Sequence, residues 1–267
     1  MSDIKKIEQH YSLDERPFLE KVRGFCHLVD ERYSPYLTDF LNPREIQIVE
    51  ELAHYYNLKF FVSSTLESEE YGRVILAPDY YELEEDDFEI KRLEISYSRQ
   101  FNKLTHPKVL GALINQLGLD RQVFGDIILD EEGRVQFYIA SHLASYAIMT
   151  ITKIGNVSVT LKEVSKDDWI SNQEKYSKTF VLLSSMRLDN VLATVLNLSR
   201  SNALKIIASG KVKLNYRQVE KADQAVIIGD MISVRGYGRF RLAQQDGFSK
   251  SGKAKIVIES LLRRRKK

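Results

Sequence analysis

Hydrophobic and polar positions change period along the chain, and each period predicts a different element. RPFLEKVRGFCHLVDERY places Phe18, Val22, Phe25 and Val29 at helical spacing. NPREIQIVEELAHYYN starts with Asn42 as an N-cap, Pro43 at the first helical position and Glu45 three residues after the cap, a capping-box helix start. LKFFVSS and RVILAPDYY then read as strands. From residue 82 the order becomes regular: FEIKRLEISYS as a strand, HPKVLGALINQLG as a helix ended by Gly118, and VFGDIILD as a strand. After an EEG turn, RVQFYIAS reads as a strand, HLASYAIMTITKI as a helix and VSVTLKEV as a strand. This β-α-β-β-α-β order is the split βαβ pattern of ferredoxin-like and RRM domains.

SKDDWISNQEKYSKTFVLLSS reads as a connector. Beyond it Leu188, Val191, Leu192 and Val195 form one apolar helical stripe, with Ser185 as the expected N-cap. Ser199 caps a second helix that buries Ala203, Ile206 and Ile207 and ends at Gly210. KVKLN, AVIIGDMISVRG and later strand-like stretches follow. The fold class expected is α+β, in three small domains: an N-terminal α/β domain over 1–81, an RRM-like domain over 82–168, and, after a linker at 169–180, an αα hairpin on a β-platform over 181–267.

Charge sharpens this division. The net charge of +2 conceals a basic third: 181–267 holds 18 Lys+Arg against 6 Asp+Glu, a net of +12, while 1–180 holds 21 against 31, a net of −10. A domain this basic most often meets a polyanion, and nucleic acid is the commonest one. The single cysteine, Cys26, lies on an apolar helix face and reads as a buried thiol. The five histidines never fall at metal-ligand spacing, so neither metal nor cofactor is expected. No apolar run reaches the roughly 20 residues that span a membrane, and the start MSDIKKIEQHYSLDER is too charged for a signal peptide, which together point to the cytoplasm. In the middle domain Phe137 and Tyr138 are adjacent and so face opposite sides of their strand. The glycine- and aromatic-rich string of RNA-stacking RRM sheets is missing, which favours a scaffold or protein-contact role there.

Two stretches imitate catalytic motifs. GFSKSGKA (247–254) nearly matches the phosphate-binding G-x-x-x-x-G-K-[ST], but Ala254 replaces the hydroxyl, and the stretch reads as a basic loop between strands. R-L-D at 187–189 resembles the catalytic string of pseudouridine synthases, R-L-D-x-x-[ST]-x-G. Here Asn190, Val191, Leu192, Ala193 and Thr194 follow in an amphipathic helix, and both the Ser/Thr and the glycine are lacking. Asp189 is expected to favour the helix dipole and to orient Arg187 or Lys213. The acidic run ELEEDDFE reads as a solvated edge, and the terminal RRRKK as a tail adding non-specific phosphate contacts.

R-L-D-x-x-L (187–192), S-R-x-x-A-x-x-x-I-x-x-G-x-V-x-x-N (199–215), Lys221 and G-D-x-I-x-V (229–234) together resemble the S4 RNA-binding domain. The candidate RNA contacts are Arg187, Asn190, Ser199, Arg200, Ser201, Lys205, Lys211, Lys213, Asn215, Lys221, Arg235 and Arg239, with Arg241 adding charge nearby. LTDFLNPRE, GRVILAPDYY and LTHPKVLGALINQLGLDRQVFGDI are similar to the three-part bacterial YlmH family across nearly the whole chain. That resemblance implies a non-catalytic, monomeric factor binding rRNA and tRNA. Its expected station is a stalled large ribosomal subunit still holding peptidyl-tRNA, in ribosome-associated quality control. A cell-division-associated RNA- or protein-binding factor is the alternative it leaves open, with an RNA-modifying enzyme behind both.

Overall fold

The computed structural model describes residues 11, 13, 15–64, 70–171 and 177–262. They belong to two compact units, Met1–Gln173 and Glu174–Lys267. The first unit starts with α1 (Arg16–Arg32), β1 (Tyr36–Leu41), α2 (Pro43–Tyr55), β2 (Lys59–Val62) and β3 (Gly72–Ala77), the strands forming an antiparallel sheet of order β1-β3-β2. The capping box expected at α2 is present: the Asn42 side chain accepts from the Arg44 and Glu45 N–H groups, and the Glu45 carboxylate accepts from Asn42 N at 2.8 Å. The buried stripe of α1 is Leu19, Val22, Cys26 and Val29. It shares Val22 and Val29 with the expected one, whereas Phe18 and Phe25 flank the core half-buried and Phe25 stacks on Tyr36 at 4.2 Å. Cys26 is fully buried, and burial pushes its thiol up to about 11, so it stays protonated and inert at neutral pH.

The same unit continues through β4 (Ile90–Ser96), α3 (His106–Leu117), β5 (Phe124–Leu129), β6 (Val135–Ala140) and α4 (Ser141–Thr150). It ends with the short hairpin β7 (Lys153–Ile154) and β8 (Val157–Ser158), then β9 (Thr160–Glu163). Sheet order β5-β6-β4-β9 is the split βαβ arrangement expected. Gly118, at φ 64°, closes α3. The two helices cover one sheet face, where Leu93, Ile95, Phe124, Phe137 and Ile139 are buried.

The other sheet face is also covered. Phe40 of β1 is buried with Ile128, Tyr138 and Ile170. Gly125 makes room for it: a Cβ there would lie 2.8 Å from the Phe40 ring and 2.8 Å from Tyr138 Cβ. Buried Arg73 spans the same junction, donating to the carbonyls of Thr38, Phe88 and Glu89 at 2.8–3.0 Å. The Asp126 carboxylate accepts from Glu70 N at 2.7 Å and Tyr71 N at 3.1 Å. Arg92 lies 4.8 Å from the Tyr138 ring and 4.9 Å from that of Trp169. Gln136 bonds the backbone of Asp168 and Ile170. The first two expected domains therefore share one compact unit. Trp169 and Ile170, expected in the linker, pack on that unit because their backbone and rings satisfy Arg92 and Gln136.

The second unit runs β10 (Ser177–Leu183), α5 (Leu188–Val195), α6 (Arg200–Ala208), β11 (Val212–Leu214) and β12 (Arg217–Gln218). It finishes with β13 (Met231–Val234), β14 (Gly238–Phe248) and β15 (Ala254–Leu262), in one sheet of order β10-β15-β14-β13-β11-β12. β10 thus takes in residues 177–180 of the expected linker. Leu188, Val191 and Leu192 of α5 and Ala203 and Ile207 of α6 pack with Val212, Ile232, Val234, Phe240, Ile256 and Ile258 of the sheet. Of AVIIGDMISVRG only β13 is strand; before it, the Asp230 carboxylate turns the chain by accepting from Ile227 N at 2.8 Å. In the stretch 247–254, residues 249–253 form the hairpin turn between β14 and β15, with Ser249 N bonded to Lys253 O at 2.8 Å. A strand follows it where a phosphate-binding loop needs a helix. RRRKK lies outside the described residues.

Gly125→Ala should force the Phe40 ring out of its seat and cost about 1–3 kcal/mol. Calorimetry should show a lowered melting transition for the first unit, with unit 2 unmoved.

Candidate nucleic-acid interface

α5 starts without a side-chain cap. Arg187 occupies the N-cap position, so Ser185 does not cap the helix as expected. The reason is that the loop after β12 supplies the acceptors: Leu188 N bonds Gln224 O at 2.9 Å and Asp189 N bonds Ala222 O at 3.0 Å. The Ser185 carbonyl instead accepts from the Asn190 amide at 2.8 Å. α6 does start on its predicted cap, with Ser199 Oγ accepting from Asn202 N at 3.3 Å and lying 3.1 Å from Ser201 Oγ.

These two helix starts are joined by one acid. Asp189 is 1 % exposed. Its Oδ1 accepts from Arg187 Nε at 3.2 Å and from Asn190 N at 2.9 Å; its Oδ2 accepts from Arg187 Nη2 at 3.2 Å. Oδ2 also accepts from Arg200 Nε at 3.1 Å and Nη2 at 2.9 Å. The Arg187 guanidinium, with Arg200 behind it, holds the Asp189 carboxyl down at about 2 against the opposing effect of burial. The two arginine side chains remain 46 % and 67 % exposed. Two cations on one buried carboxylate leave a net positive site, and the Nη1 group of each arginine has no partner among the described residues. That suits a phosphate, whose oxygens match the guanidinium fork. Asp189 was expected to orient Arg187 or Lys213; it holds Arg187 and Arg200. Lys213 is not its partner, because β11 points Lys213 away from the helices.

The structure sorts the other expected contacts into five groups. Ser199, the cap of α6, and Ser201 and Lys205 on α6 are exposed. Lys221 is exposed in the turn that feeds Ala222 O to α5. Lys213 and Arg239 lie side by side across the sheet through Ser233, on the face opposite the helices. Lys211 and Arg235 meet at the sheet end, where Arg235 N bonds Lys211 O at 2.9 Å. Asn190, half-buried, and Asn215, exposed, both bond neighbouring chain. The Asn190 amide also accepts from Ser184 Oγ at 3.2 Å. Asn215, at φ 48°, forms a two-residue hairpin turn with Tyr216, at φ 69°, and bonds Asp230 and Met231 N at 2.8 Å each. Left-handed backbone at both turn positions explains an asparagine there without any ligand.

The middle sheet has no open aromatic face: Phe137 is in the helix-covered core and Tyr138, 2 % exposed, lies under Phe40 and Ile170. No group of three or more His, Cys, Asp or Glu residues that could hold a metal occurs among the described residues. Nor is any helix among them long and apolar enough to cross a membrane.

An α-hairpin on a β-platform, presenting arginines at both helix starts, defines an S4-type nucleic-acid-binding protein with an RRM-like companion domain. Residues 186–232 match the S4 domain model, and residues 84–168 match the model described as "Putative RNA-binding domain in YlmH". The chain is 34% identical over 259 residues to the ribosome-associated protein quality control protein P2 of Bacillus subtilis, covering 97% of this chain and 99% of that one. A solved structure of the cell division protein ylmH from Streptococcus pneumoniae is similar at 41% identity and TM-score 0.55, covering 61% of this chain and 98% of that one. An uncharacterized RNA pseudouridine synthase of Mycoplasma genitalium is 40% identical over 55 residues, only 21% of this chain and 18% of that protein. The chain belongs to the YlmH family.

The depressed Asp189 carboxyl has a signed consequence. An unfolded aspartate titrates near 3.9, so the stabilisation from Asp189 is complete above about pH 4 and is lost as pH falls towards about 2. Urea midpoints measured from pH 6 to 2 should drop over that window, and Asp189→Asn should start lower at pH 6 and drop less.

Proposed function

We propose that this protein is a non-catalytic RNA-binding factor of the ribosome, contacting rRNA and tRNA through the starts of α5 and α6. The observation that carries this reading is the Arg187–Asp189–Arg200 cluster, two exposed guanidiniums aimed by one buried acid. Pre-aimed donors lose less freedom on binding and suit the phosphate backbone of structured RNA. The +12 balance of 181–267 supplies the long-range attraction. The similarity to a ribosome-associated quality control protein over nearly the whole chain supports the ribosome as the place. In finer terms, the target is a large subunit still holding peptidyl-tRNA, where the factor supports rescue of stalled synthesis.

The chemistry of Asp189 argues against RNA modification. A nucleophilic or general-base carboxylate needs a free oxygen and access to the base. Both Asp189 oxygens are bonded by guanidiniums, the side chain is buried, and its low pKa makes it a weak base.

Arg187→Ala combined with Arg200→Ala should abolish co-sedimentation with ribosomal particles while the circular dichroism spectrum is retained. Wild-type retention by the double variant would sink the proposal. In the single variant Arg200→Ala, the slope of log K against log salt for ribosomal RNA should shrink by about 1, one phosphate contact being lost.

A further inference from the structure

The far face of the unit 2 sheet carries a cluster that the helix hairpin does not use. β10 is an edge strand, and alternation turns Val181 and Leu183 inward and Phe180 and Leu182 outward. Phe180 is 71 % exposed and Leu182 49 %. Their cross-strand neighbours on β15 are Val257 and Lys255. Phe180, Leu182, Asp246 and Lys255 line a shallow depression of about 450 Å³. What sets Phe180 apart from other exposed rings is its place in this depression, beside exposed Leu182.

The ground around the ring is basic. Lys255 is exposed and has no ion-pair partner among the described residues. Lys178 and Arg241 share a single acid, Glu259, at 3.2 and 2.5 Å. Lys213 and Arg239 continue the same face across β11 and β14. Asp246 is the one acid lining the depression, and the Gln244 amide bonds it at 2.7 Å. An open aromatic ring set among cations is the combination by which proteins hold single-stranded nucleic acid: the ring stacks on a base, the cations take the flanking phosphates.

We propose that this face is a second RNA contact, holding an unpaired nucleotide with its base stacked on Phe180 and its phosphate on Lys255. The proposal deepens the RNA-binding reading of the same unit and rests on it. It divides the work between two surfaces: the arginine pair addresses the backbone of a folded stem, and the sheet face takes a base that the stem leaves unpaired. A duplex could not use Phe180, since its bases offer no free face. A peptide added along the β10 edge would leave the positive face unmatched, so charge favours RNA.

The test uses the full chain and two fluorescent probes, a single-stranded ribo-oligonucleotide and a fully paired RNA hairpin closed by a tight loop, read by anisotropy. Phe180→Ala should weaken the single strand at least about fivefold, the low end for loss of base–aromatic stacking, and leave the paired hairpin within twofold. Phe180→Tyr should restore binding, and Lys255→Glu should weaken the single strand and make its affinity less salt-dependent. Unchanged single-strand affinity in both Phe180→Ala and Lys255→Glu overturns the proposal. So does a change of oligomeric state in Phe180→Ala by sedimentation, which would show that a second copy covers this face. Arg200→Ala is the control for the parent reading: if it leaves the paired hairpin unaffected, that reading fails, whatever Phe180 does.

Discussion

One buried carboxylate organises the basic unit. Asp189 lies at the first turn of α5, and its two oxygens hold arginines from two helix starts, eleven residues apart in Arg200's case. Without it, two guanidiniums side by side would repel and sample many rotamers. With it, each keeps one edge fixed and one edge open. The acid is enclosed because the loop at 222–224 closes over the start of α5 with two backbone bonds, and that loop is fixed in turn through the Arg187–Ala225 bridge. A local packing decision thus determines where the positive charge points.

The acidic unit is built on the opposite logic. A split βαβ sheet offers one face to its helices and one to a ligand, but here Phe40, Trp169 and Ile170 occupy the second face. Gly125 allows the close approach, and Arg73, Asp126 and Gln136 satisfy the backbone groups that the contact would otherwise leave unpaired. Tyr138 stacks on a protein cation instead of a base. Both faces of this sheet are therefore covered within unit 1, one by its helices and the other by Phe40 and Ile170.

Most elements were legible from period and capping. The α2 capping box, the Gly118 stop and the Ser199 cap follow from local rules, because each is satisfied within a few residues, and the split βαβ order follows from the succession of elements. What was not legible depends on residues far apart in the chain. Ser185 fails as a cap because residues 222–224 provide the acceptors. Lys213 looked like a partner for Asp189, but strand alternation turns it to the other side of the sheet. Asn190 and Asn215 were expected as RNA contacts, and each of them has a bond inside the fold as well: Asn190 to Ser185 O, and Asn215 to the more distant Asp230 and Met231 N. The exposed Phe180 lay in what read as a connector, and only the pairing of β10 with β15 shows which way it faces.

The central claim is that Asp189 acts on RNA through its arginines. A double-mutant cycle tests it most directly, using Asp189→Ala, Arg200→Ala and the pair, with dissociation constants for one ribosomal RNA stem-loop at low salt. The account predicts strong non-additivity: with Arg200 gone, removing Asp189 costs much less than it does in the wild type. Additive losses would contradict it, because Asp189 would then be acting on the RNA by a route that does not pass through Arg200.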